Sequence, residues 1–208
     1  DHPALCHEKN FLAYSSGGIK YVDLGDLEAD PIEVTDSSTH VHPCWSKEGN
    51  RIAYVDTSGN DIYVVNIRHV QLEPINISAR LDEDLSYPAF SSDGRKIVAQ
   101  SSSNELWVLD VNNSVPPRKL ATSDNGGGKF PSWSNHGNVI LFTDNNGKLC
   151  RIKATDYTET LNTRAALKLT DKEGVEIDGT FPDWSPDDSA FVYSGVGDRL
   201  YIFSLTTK

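Results

Sequence analysis

Apolar and polar positions alternate along this chain in short, strand-sized runs, and the runs recur in a fixed order. An aromatic or His residue and a Pro lead into a Trp-Ser turn rich in Gly, Asn and Asp, and a short apolar strand follows. The clearest copies are HPCWSKEGNRIAYVD (His42 to Asp56), YPAFSSDGRKIVAQS (Tyr87 to Ser101), FPSWSNHGNVILFTD (Phe130 to Asp144) and FPDWSPDDSAFVYS (Phe181 to Ser194). A more worn copy, HPALCHEKNFLAYSS, runs from His2 to Ser16. After each comes a turn that tolerates positive φ and a second alternating run: GIKYVDL, DIYVVNI, ELWVLDV, KLCRIKA and RLYIFSL. A further short strand closes the first four copies (PIEVTD, EPINISA, PRKLATS, ALKLTD), whereas the fifth stops at Leu205 with only Thr206, Thr207 and Lys208 behind it.

The leading prolines, Pro3, Pro43, Pro88, Pro131 and Pro182, are 40, 45, 43 and 51 residues apart. That is the length of a four-stranded propeller blade. A lone four-stranded sheet cannot cover its faces, but sheets stacked radially bury each face against the next. The expected fold is therefore all-β: a single five-bladed β-propeller of four-stranded antiparallel blades, at about 1–40, 41–85, 86–128, 129–178 and 179–208. The last blade is expected to have three strands or to be completed by sequence outside this chain. The repeated rings Trp45, Phe90, Trp133 and Trp184, and Tyr63, Trp107 and Tyr201, are expected to pack between blades.

Composition narrows the partners. The net charge of −11 argues against nucleic acid and anionic membrane surfaces, and no apolar run approaches the roughly 18–20 residues of a membrane span. The absence of Met, even at position 1, points to a processed or trimmed chain. Cys6, Cys44 and Cys150 lack CxxC spacing and read as small buried thiols in repeat positions.

The pattern HPxWSxxGxxIAY…IYVV resembles the WD-like propeller repeat of TolB-type periplasmic proteins, which also occurs in oligogalacturonate lyases and in the propellers of prolyl-oligopeptidase-like peptidases. The resemblance covers essentially the whole chain and is sharpest over Pro43 to Ile67 and Pro182 to Leu205, while the first copy departs most, with Leu5 in place of Trp. It implies that the first strand of each blade lines a central channel, and that the polar segments leading into these strands form one mouth. Those segments are Asp36 to His42, Leu81 to Tyr87, Thr122 to Phe130 and Asp171 to Phe181. Their variation on a uniform scaffold points to binding.

The candidate ligand-binding residues there are His2, His40, His42, Asp84, Tyr87, Lys129 and Asp178. His40 and His42 stand two apart, so an extended strand would turn both imidazoles to one side, and with His2 from the next blade they could hold a divalent metal. The alternative is that His2 and His42 merely substitute for the ring found at Tyr87, Phe130 and Phe181. The carboxylates of these segments, including Asp36, Asp82, Glu83, Asp124, Asp171, Glu173 and Glu176, form either an attractive acidic ring or ordinary solvated loops. Gly126-Gly127-Gly128-Lys129 reads as a flexible tip, not a phosphate loop. The triplets starting at Asn76 and Asn112 are formal glycosylation acceptors.

No GxSxG elbow and no HExxH motif occurs. The expected role is a non-catalytic binding module with no cofactor, periplasmic or secreted, presenting the mouth to a protein or glycan ligand. The alternatives are a carbohydrate-active enzyme similar to the oligogalacturonate lyases with a His-lined channel, and the propeller fragment of a larger hydrolase.

Overall fold

The computed structural model describes residues 3–6, 8–68, 73–120, 127–154, 166–197 and 199–205. Among the described residues every regular element is a strand. Blade one holds β1 (Ala4–Cys6), β2 (Phe11–Ser15), β3 (Ile19–Asp23) and β4 (Ile32–Glu33), and blade two β5 (His40–Trp45), β6 (Arg51–Asp56), β7 (Asp61–Asn66) and β8 (Ile75–Asn76). Blade three holds β9 (Leu85–Phe90), β10 (Lys96–Ser101), β11 (Leu106–Asp110) and β12 (Arg118–Leu120). Blade four has β13 (Lys129–Trp133), β14 (Val139–Thr143), β15 (Leu149–Lys153) and β16 (Leu167–Lys168), and blade five β17 (Thr180–Trp184), β18 (Ala190–Gly195) and β19 (Arg199–Ser204). Each sheet keeps chain order across its strands, and the last has three. The fold is the expected five-bladed propeller.

The hairpins explain the repeated Ser. After each Trp or Phe a serine hydroxyl accepts the backbone N–H five residues on, closing the turn from within. The pairs are Ser46 with Arg51 at 3.1 Å, Ser91 with Lys96 at 3.0 Å, Ser134 with Val139 at 3.1 Å and Ser185 with Ala190 at 3.0 Å. Asp187 tightens its turn further, accepting from the Ser185 hydroxyl at 2.6 Å and from the N–H and hydroxyl of Ser189.

Contacts divide the chain into two compact units, Asp1–Ile97 with Leu109–Pro117 and Val98–Val108 with Arg118–Lys208, so the third sheet contributes to both. In the first unit, Cys6, Ala13, Ile19, Tyr21 and Val34 of blade one bury themselves against Trp45, Ile52, Tyr54 and Val65 of blade two. Trp45 meets Tyr21 edge-on at 5.4 Å and donates its indole N–H to the Ala4 carbonyl at 3.1 Å. In the second unit, Leu141, Leu149 and Leu169 of blade four cluster with Trp184 and Phe191 of blade five. Here the Trp position does seal one blade onto the next, as its recurrence predicts.

The other ring position behaves differently. Tyr63 stacks on Tyr54 at 5.7 Å and Tyr201 on Tyr193 at 5.5 Å, each across two strands of its own blade, and Lys119 lies over the Trp107 ring at 5.2 Å. Cross-strand side-chain pairing within one sheet, ring on ring for the tyrosines and cation on ring for Trp107, accounts for these residues. None of the three cysteines forms a disulfide; Cys6 and Cys150 are buried, and burial first, with Asp144 nearby second, pushes the Cys150 thiol up to about 12.

Candidate functional site

The leading segments of blades three, four and five are fastened by the hairpin between the preceding blade's second and third strands. Leu85 N–H donates to the Asn60 carbonyl at 2.8 Å, Gly128 N–H to that of Asn104 at 2.5 Å, and Gly179 N–H to that of Gly147 at 2.9 Å. All three acceptors have positive φ, which is why Asn or Gly recurs at the hairpin corner. Gly127 and Gly128 are buried against this hairpin, so these two residues are a packed join and not the expected flexible tip. A Cβ on Gly128 would stand 2.6 Å from Leu106 Cγ.

Two residues beyond each fastening, and at the matching place in blade two, the chain does something the alternation of the sequence does not announce. His42, Tyr87, Phe130 and Phe181, the residues just before the leading prolines, have φ of 51°, 51°, 52° and 51°. Bulky residues seldom adopt this left-handed conformation, and a following proline further restricts the backbone before it. In blades two, four and five the pairing with the next strand shifts register at this point, between Val41 and Cys44, Lys129 and Ser132, and Thr180 and Asp183. Each is a bulge that re-aims one side chain.

In the first unit the re-aimed His42 stacks on Tyr87 of the next blade, with ring centroids 4.4 Å apart and planes 20° off parallel. His40 instead packs on Tyr54 within its own blade at 4.7 Å, and its Nε2 lies 3.9 Å from Asp56 Oδ2. The expected facing pair assumed an extended strand at His42; the positive φ removes that premise and sends the two imidazoles to different aromatic partners. Among the described residues no three His, Cys, Asp or Glu side chains are grouped to hold a metal. His2 lies outside the described residues. Asp84 is exposed on the segment before Tyr87.

In the second unit Phe130 stacks on Phe181 at 3.8 Å and 29°. Gln100 Oε1 accepts the Phe130 N–H at 3.0 Å, holding the bulge from the side. Two residues past the rings, Ser132 donates to Asp183 at 2.9 Å. Gln100, Ser132 and Asp183 were not foreseen; Ser132 and Asp183 at least follow a repeated ring-Pro pair directly, whereas Gln100, near the end of β10, carries no such signal. Lys129 is half-buried beside Phe130. Asp178 makes an ion pair with Lys148 at 2.7 Å, Glu176 one with Lys168 at 3.0 Å and Glu173 one with Lys172 at 3.6 Å. Asp171 accepts the N–H groups of Glu173 and Val175 in its own turn. In this segment the carboxylates are largely occupied by local partners, the plainer of the two expected readings. Asp124 lies outside the described residues.

The Asn76 triplet is built into the sheet: its amide donates to Asp61 at 2.9 Å, and the buried Ser78 hydroxyl accepts the Ile62 N–H at 2.9 Å. Asn112, by contrast, is exposed.

No protein-family model matches the chain, and no curated protein matches its sequence. Solved structures do match. A TolB protein from Agrobacterium tumefaciens is 18% identical over 99% of this chain and 76% of its own, with a TM-score of 0.71. TolB from Acinetobacter baumannii is 18% identical over 92% of this chain, with a TM-score of 0.65, and this chain spans 49% of its length. The Swd1 β-propeller domain of Myceliophteria thermophila is 12% identical over 98% of this chain and 69% of its own, with a TM-score of 0.66. Identities this low speak to architecture, and the chain is a five-bladed all-β propeller with the fold seen in TolB proteins.

Proposed function

We propose that this chain is a non-catalytic binding module that takes a protein ligand through the ring pairs at the head of its blades, His42 with Tyr87 and Phe130 with Phe181. The observation that carries this reading is the repeated bulge. Four bulky residues hold a backbone conformation that costs on the order of 1–3 kcal/mol each, and strain of that kind persists where the surrounding structure enforces it, commonly at binding surfaces. The backbone is the same at all four positions, yet the side chain is His, Tyr or Phe, and the segments before them differ in length and charge. A constant scaffold with variable tips is the arrangement of a recognition surface. Pre-stacked aromatics also anchor a partner at small entropic cost.

The excess of carboxylates over cations favours a ligand with basic or amino groups, and the exposed Asp84 lies three residues before Tyr87. The reading includes a periplasmic or secreted location and one domain acting as a whole. The test is a combined peptide and glycan array probed with the purified chain and with the Tyr87→Ala and Phe181→Ala variants. Peptide hits weakened at least about tenfold by either variant, the scale of one lost anchor, support the proposal. Hits confined to glycans, or peptide hits indifferent to both variants, refute it.

A further inference from the structure

Thirteen residues after the ring that precedes each leading proline, the second strand of the same blade carries a side chain whose chemistry varies: Val55 after His42, Gln100 after Tyr87, Thr143 after Phe130 and Ser194 after Phe181. Within their own sheets Val55, Thr143 and Ser194 lie opposite Val41, Lys129 and Thr180, the residues immediately before the bulge. In the second unit two of these side chains reach past their own sheet to the segment that leads into the next blade. Gln100 accepts the Phe130 N–H at 3.0 Å, the amide that the bulge takes out of strand pairing. The buried Thr143 hydroxyl donates to the Gly179 carbonyl at 3.1 Å. Each contact adds a second point to a hairpin fastening, that of Gly128 on Asn104 in blade four and that of Gly179 on Gly147 in blade five. Gln100 also faces the same hairpin with its other end, its Nε2 lying 3.5 Å from Asn104 Oδ1. One hydrogen bond fixes where a segment passes; a second close by fixes its direction as well.

We propose that Gln100 and Thr143 are positioning residues: together they set how Phe130 lies on Phe181, and through that stack they select which ligand the ring pair accepts. The selection rests on the reading of the ring pairs as the ligand site; the positioning does not. The two side chains act on opposite members of the pair, Gln100 at the backbone of Phe130 itself and Thr143 two residues before Phe181. With the ring centroids 3.8 Å apart, a small rotation of either backbone slides one ring across the other. The offset of two stacked rings decides which face and which edge they offer a third group. Blade two carries the buried Val55 at the same position, so the sheet accommodates an apolar side chain there and the hydrogen-bonding group is not a requirement of the strand.

The test uses the full chain with ring-labelled phenylalanine and the variants Gln100→Val and Thr143→Val, each carrying the residue that blade two has at this position. In spectra of the folded proteins the ring signals of Phe130 and Phe181 are expected to move in both variants. They are expected to return in Gln100→Glu and Thr143→Ser, which keep the accepting oxygen and the donating hydroxyl. Amide exchange at Phe130 is expected to quicken at least about fivefold in Gln100→Val, the scale of one lost hydrogen bond. Array peptides that the parent chain holds through Phe181 are expected to weaken by at least about fivefold in both Val variants. Because the two variants act on different rings, either one decides the matter where the other folds poorly. Two results overturn the proposal: ring signals that stay in place in the folded Val variants, even with a lowered Tm, which assigns the side chains to stability alone; and ring signals that move while the affinities of those peptides do not change. Where the array yields no peptide, the ring-pair reading fails by itself, and the ring signals still decide whether Gln100 and Thr143 set the stack.

Discussion

At the scale of single residues, the same side chain has opposite meanings in different copies, and its hydrogen bonds decide which. Asp187 was legible in advance as a turn residue, and it accepts three hydrogen bonds; the Ser185 hydroxyl first, then the Ser189 N–H and hydroxyl, hold its carboxyl at about 2. Because this is below the value of an unfolded aspartate, the charged form stabilises the fold above about pH 4 and loses that contribution as the pH falls through about 2. Asp187→Ala is therefore expected to lower Tm at neutral pH, with the gap to the parent closing by about pH 2 in a series of thermal melts. Cys150 gives a second expectation. Its thiol is buried and lifted to about 12, so alkylation at pH 8 should be undetectable in the folded protein and rapid in denaturant, as mass spectrometry after timed labelling would show. What the sequence could not reveal at this scale was the conformation of His42. Its spacing from His40 reads as an extended pair only if the backbone between them is extended, and φ is not written in an HxH pattern.

At the scale of elements, strand position and order were readable because alternation, turn residues and a repeated ring-Pro dipeptide agree in every copy. The partners of the rings were less so. Trp45 and Tyr63 carry equal signals of burial, yet one crosses to the preceding blade and the other stays on its own sheet, a choice made by the twist and stagger of neighbouring strands. The repeat also sets up a direct comparison. Leu149→Ala, at a fully covered position, is expected to cost about 2–5 kcal/mol in denaturant unfolding. Leu200→Ala, at the equivalent but uncovered position, is expected to change stability by no more than about 0.5 kcal/mol. Similar losses at both sites would mean that Leu200 is buried in solution.

At the scale of the whole molecule, a chain with a sequence pI of about 4.9 and a charge of −11 is kept dispersed by self-repulsion near neutral pH. Turbidity is expected to peak as the pH is brought to about 5 and to clear on either side. The number of blades was legible from proline spacing alone, since each blade is a local unit. The division into two compact units was not, because it depends on which sheets contact one another, and it cuts through a blade that the repeat pattern treats as whole.

The four left-handed residues ahead of the leading prolines have one more consequence. Each precedes a proline, and nature has already placed three different side chains on this backbone without changing φ by more than a degree. Positions 42, 87, 130 and 181 are thus ready-made for randomisation. A display library varied at these four sites would diversify what the protein touches while leaving register, turns and blade packing as they are.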